Sequence, residues 1–156
     1  MQRRTLGIAV TAMVVAASLA ASASARTGNR SLTQTYPVAT ALCAKARAGT
    51  LPVKLAPKSA AVITSCDTLE NAFPSLVSTV DASESSLLST LSAQKALVAT
   101  ACPKPVTNAA ACTTARQTAS SADSAARATE QAAVKAYHAA IETNRLTFWS
   151  AISALR

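Results

Sequence analysis

The sequence predicts an all-α protein, an elongated antiparallel helical bundle closed by two disulfides. Three observations carry this expectation. After residue 35 the apolar residues recur at intervals of three and four, the period of a helix face, with no alternating strand pattern. From Thr107 to Arg156 there is no Pro and no Gly, so one helix of ~70 Å is expected there. Four Cys, an even number, follow an export signal, the setting in which disulfides form.

The chain of 156 residues opens Met1-Gln2-Arg3-Arg4, runs through the uncharged stretch Leu6 to Leu19 and reaches Ala23-Ser24-Ala25 ahead of Arg26. This is the basic, apolar and small-residue order of a secretory signal peptide, here residues 1–25. The apolar run is shorter than the ~20 residues of a membrane span, so the protein is not read as an integral membrane protein. Arg3-Arg4-Thr5-Leu6 resembles a twin-arginine signal, but Gly7 stands where a second large apolar residue is expected, which favours general secretion. The expected location is secreted or extracytoplasmic, in a periplasm or cell envelope. Residues 26–34 read as a flexible leader with the formal glycosylation acceptor Asn29-Arg30-Ser31, and residues 35–156 as a single helical domain.

The formal charge of +8 falls to +6 once Arg3 and Arg4 leave with the signal. A positive balance suits an anionic envelope polymer as partner, and equally suits plain solubility. The basic residues form no run; Lys45, Arg47, Lys54 and Lys58 surround one loop. No basic and aromatic groove pattern exists, so nucleic acid is not expected.

Tyr36-Pro37 starts the first helix, with Pro in the first turn where its missing N–H costs nothing. Ala39, Cys43 and Ala46 share a face, and Gly49 ends the helix. After a linker with two Pro, a second helix begins near Lys58, with Val62, Cys66, Leu69 and Phe73 along one stripe. Cys66 therefore faces inward, where pairing with Cys43 clips a helical hairpin. Pro74 either opens a third helix after a reversal or sits inside one long helix. From Pro74 to Ala101 the stripe is Leu76, Val80, Leu87, Leu91 and Val98, with Ser83 and Gln94 at weak core positions and a face of Ser and Thr opposite. Cys102-Pro103-Lys104-Pro105 ends this segment, and Thr107 reads as the cap of the last helix. Cys102 and Cys112 face each other across the turn. Pairing 43 with 66 and 102 with 112 is preferred over the other two connectivities, each closure being worth ~3 kcal/mol on the chain-entropy estimate.

The last helix carries two stripes. The small one is Ala115, Ala119, Ala122, Ala126, Thr129, Ala133, Ala136 and Ala140; the large one, Val134, Tyr137, Ile141, Phe148, Ile152 and Leu155, appears only later. A helix from Pro74 to Ala101, tied antiparallel to the start of the last helix, runs out near Val134, where the large stripe begins. The preferred arrangement is thus a three-helix head on a two-helix stalk, with Pro74 inside a continuous helix. The alternative is a four-helix up-down bundle, which needs a full reversal at Asn71-Ala72-Phe73.

His138, Glu142, Arg145 and Trp149, spaced 4, 3 and 4, line one flank of the large stripe beside Tyr137. They are read either as a ligand edge for an anionic ring or haem-like group, or as the amphipathic rim of a core; the rim reading is preferred. No cofactor is expected, because a haem site ordinarily offers a second His or a Cys-x-x-Cys-His attachment. Cys43, Cys66, Cys102 and Cys112 contain no C-x-x-C pair and the chain has one His, so no metal site is expected. Many Ser with a single His give a catalytic triad little support, the seven acids are scattered along helices rather than paired about a cleft, and with only Gly28 and Gly49 after the signal there is no glycine-rich phosphate loop, so the chain is not read as an enzyme. The segment Thr35-Tyr36-Pro37, the export signal and the four Cys are similar in outline to plant invertase and pectin methylesterase inhibitors. That family places its first two Cys close together around this segment, whereas here Cys43 is followed by Cys66, so nothing is carried over.

The function expected is that of a secreted non-catalytic bundle, a structural, envelope-associated or protein-interaction factor. The runner-up is a carrier of a small apolar or haem-like ligand in the head. Partners expected are an unknown protein or an anionic envelope polymer, with self-association of the thin stalk, near Leu88, Leu97 and the hydroxyl face, as a further option.

Overall fold

The computed structural model describes residues 30–156, so the signal-peptide reading and the leader as far as residue 29 lie outside the described residues. The described chain is all-helical: α1 (Leu32–Thr35), α2 (Pro37–Arg47), α3 (Ser59–Ala101) and α4 (Ala109–Ala154), with a 3-10 turn at Ala56–Lys58 leading into α3. α3 and α4 are long, antiparallel and packed together, and α2 packs principally on α3.

Pro74 lies inside α3, which passes it without reversing. The residue has no N–H for the carbonyl of Glu70, and its ring crowds that turn, an interior cost of ~3 kcal/mol. Two features offset this. Pro74 is exposed, so water reaches the stranded carbonyl. Phe73, on one side, is buried in the head core, and Val77, on the other, packs against that core, so contacts hold both halves in line. The head-and-stalk arrangement follows, and the four-helix alternative does not occur.

The head core gathers Ala39, Cys43 and Ala46 of α2, Val62, Cys66, Leu69 and Phe73 of α3, and Phe148 and Ile152 of α4. Leu51 and Leu55 from the linker close it from below. Cys43 and Cys66 are bonded, with Cα atoms 5.7 Å apart. α2 stops where Gly49, at φ +69°, turns the chain: Gly49 N–H donates to the Ala46 carbonyl and Thr50 N–H to that of Lys45, which satisfies two otherwise free helix-end carbonyls. Lys58 Nζ donates to the Leu155 carbonyl, tying the start of α3 to the end of α4.

The stalk is thin. Beyond Pro74 its buried residues on α3 reduce to Val80, and on α4 as far as Ala136 to Cys112 and Ala119. Cys102 and Cys112 are bonded at its tip, Cα atoms 4.8 Å apart.

Three expectations need correction. The cap of α4 is Asn108 rather than Thr107, its side chain accepting from Ala111 N–H at 2.9 Å. The leader is not loose throughout: Ser31 caps α1 and Arg30 is fixed by ion pairs, so the fold begins several residues before 35. The small stripe of α4 does not face α3 along its whole length, since Ala119 is buried but Thr129 and Ala136 are exposed. A strict 4, 3 repeat advances 3.5 residues per turn against 3.6 for a straight helix and drifts ~20° per heptad. The stripe therefore rotates off the seam, and Tyr137, Phe148 and Ile152 take its place as the buried line.

Candidate functional site

The five residues of the expected ligand edge occupy different environments. Tyr137 is buried in the seam, beneath Arg30. His138 is exposed, and its ring meets the Tyr137 ring edge-on. Glu142 accepts two hydrogen bonds from Arg145, at 2.8 and 2.5 Å, on the exposed flank. Arg145 beside it holds the Glu142 carboxyl below its usual range. Trp149 is half-buried against the head core and lies edge-on to Phe148. The edge thus combines one exposed ion pair, an exposed imidazole, a tyrosine buried in the α3–α4 seam and a half-buried indole.

Two ion-pair clusters link separate elements. Arg47 of α2 donates to Glu70 and Asp67 of α3, its contacts all 2.8 Å long, and these carboxylates hold its guanidinium pKa above the usual value. Arg30 donates to Asp81 at 2.6 Å and to Glu84, with its charge over the Tyr137 ring. The bond to Glu84 is the main cause of its raised pKa. The first cluster is open to solvent and contributes little; the second, with side chains only 22–24% exposed at Arg30 and Glu84, is better shielded. Sequence reasoning missed Arg30, whose partners lie 51 and 54 residues away.

These contacts share one side of the α3–α4 hairpin. Laid out at about 100° per residue, every charged residue of the two helices falls on that side or beside the seam: Asp67, Glu70, Asp81, Glu84 and Lys95 on α3, and Arg116, Asp123, Arg127, Glu130, Lys135, Glu142 and Arg145 on α4. The opposite side carries no charge. It is built from Thr68, Ala72, Ser75, Thr79, Ser86, Thr90, Ala93, Leu97 and Thr100 on α3, and from Ala111, Ala115, Thr118, Ala122, Ala125, Thr129, Ala136, Thr147 and Ala151 on α4.

Two clefts between the helices open on this uncharged side. One, of about 250 Å³, lies in the head among Ser65, Thr68, Ala72, Asn144, Thr147 and Ala151. The other, of about 750 Å³, lies near the stalk tip among Ala93, Gln94, Leu97, Thr100, Ala115 and Thr118. None of Tyr137, His138, Glu142, Arg145 and Trp149 lines either cleft.

The hydroxyls of this side are largely spent on their own helices. Thr68, Thr79, Thr90, Thr100 and Thr129 each donate to the carbonyl four residues back, at 2.9–3.1 Å. Each turns a methyl group and a bonded hydroxyl outward, so a neighbour can cover the surface without stranding a donor.

Comparison of the chain with protein-family models, with curated proteins and with solved structures returns no match. The described residues themselves define the class: an all-α, disulfide-bonded head and stalk with one charged and one uncharged side. Among them no helix is long and apolar enough to cross a membrane.

Proposed function

We propose that this protein is exported and non-catalytic, a structural or protein-interaction factor of the cell envelope or extracellular space that docks through the uncharged side of α3 and α4. The observation that carries the reading is the segregation of charge. Burying a charge without a partner is costly, so a surface that excludes charge over two long helices is one that can be covered. The paired Cys add support for an oxidising compartment, because such bonds persist there and are rare in the cytosol. The carrier reading has less support, as its edge residues and the clefts lie on different flanks.

A photo-crosslinking side chain placed at Ala125, exposed on the uncharged side, and at Gln131, exposed on the charged side, tests this in the cells that export the protein. Adducts at Ala125 and none at Gln131 are expected. Adducts only at Gln131, or at neither, would overturn the reading.

A further inference from the structure

We infer that the occupant of the uncharged side is a second copy of this chain, two stalks pairing face to face into a four-helix bundle; this rests on the docking reading above. The argument begins with what the stalk lacks. Two helices enclose only one line of contacts, and Leu76, Leu87, Leu91 and Val98 are each only partly buried, with Leu97 56% exposed. A third and a fourth helix would close that core.

Charge selects the partner. A surface with no charge offers nothing to a partner that presents charge, and would strand such groups on contact. The other side of this hairpin is charged along its length, so the chain cannot stack head to tail on itself through unlike faces. The uncharged side is matched in length and polarity by its own copy, and a two-fold axis pairs the same patch on both chains and closes the assembly at two.

Size and chemistry agree. The stalk portion of the face is ~40 Å long, and two helices set ~10 Å apart make it ~20 Å wide. That is ~800 Å² per chain, the share each partner gives to a standard interface. Ala and Thr let helices approach closely, and the hydroxyls of Thr79, Thr90, Thr100 and Thr129 enter already bonded to their own helix. Three buried polar atoms, Ser83 Oγ, Gln94 Oε1 and Asp123 Oδ1, have no hydrogen-bond partner within the chain, and Gln94 lines the tip cleft on this side.

The test is sedimentation of the oxidised chain from residue 26 onward, over a range of concentrations. The apparent mass is expected to rise toward two chains. Ala125→Lys places like charges across the two-fold contact and is expected to weaken association about tenfold or more. Gln131→Lys, exposed on the charged side, is expected to change it by less than about twofold. Both positions are exposed, so far-UV dichroism of the variants should match the parent. A chain that stays monomeric at every concentration overturns the inference, as does a dimer that Gln131→Lys breaks and Ala125→Lys does not. If the chain is monomeric and the Ala125 photo-adduct has a mass other than two chains, the dimer fails while the docking reading stands. Binding of the monomer to neutral phosphatidylcholine vesicles, lost in Ala125→Lys, would assign the face to lipid and overturn both.

Discussion

The guanidinium carbon of Arg30 lies 5.7 Å from the centre of the Tyr137 ring, while its nitrogens hold Asp81 and Glu84. One residue thereby joins the segment before α1, the stalk side of α3 and the buried line of α4. Arg30→Ala should destabilise the protein by about 1–2 kcal/mol, as a partly shielded, charge-assisted cluster loses its centre. Arg30→Lys should recover only part of this, because an ammonium lacks the planar fork that spans two carboxylates and covers a ring. Urea denaturation of the three proteins measures both effects.

Tyr36 is 3% exposed, donates to the Ile141 carbonyl at 3.2 Å and meets Phe73 edge-on. Burial raises its phenol pKa above the usual 10.0. The unfolded chain ionises first as pH climbs, so the stability that neutral Tyr36 provides is complete below pH 10 and is lost as pH rises through the higher folded value. The melting temperature should therefore fall more steeply above pH 10 in the parent than in Tyr36→Phe. Equal slopes would show that this phenol is not shielded.

The two disulfides should fail in different ways. Replacing Cys43 and Cys66 by Ser removes a clip from the middle of the head core and should cost ~3 kcal/mol in global stability. Replacing Cys102 and Cys112 should chiefly free the stalk tip, where few residues are buried. Amide exchange should then accelerate near Ala101 and Ala109 while the head amides hold.

Packing along α4 is uneven, and substitution should report it. Ala119 is 8% exposed, so Ala119→Leu should cost ~1–3 kcal/mol by overpacking. Ala136→Leu, at an exposed position of the same 4, 3 series, should cost far less in a dilute, monomeric sample. Thermal melts of the two variants make the comparison.

Much of this architecture is legible in the residues because its determinants are local. The stripe through Val62, Cys66, Leu69 and Phe73 and the stop at Gly49 each depend on a few neighbouring positions, and the pairing of Cys43 with Cys66, 23 residues apart, follows from two such local faces joined by one short linker. Pro74 is different: its local preference for ending a helix is opposed by core packing at Phe73 and Val77, and only the assembled head decides between them. The small series on α4 misleads because a regular spacing written in sequence is not a fixed face on a straight helix. Arg30 is hidden for a third reason, since its partners are distant in the chain. The spacing of His138, Glu142, Arg145 and Trp149 puts them at one phase of α4, whereas the uncharged side, visible as a lack of Lys, Arg, Asp and Glu at given phases, emerges only once both helices are laid against each other.

A docking face of this length exists only if α3 runs unbroken past Pro74. Spin labels at Ala60 and Ala99, both exposed on α3, measure this directly in the oxidised protein. A continuous helix places them about 58 Å apart, at 1.5 Å per residue. A reversal at Pro74 would bring them to within roughly 30 Å on the same rise, and a distance in that range would contradict the head-and-stalk structure and the face built upon it.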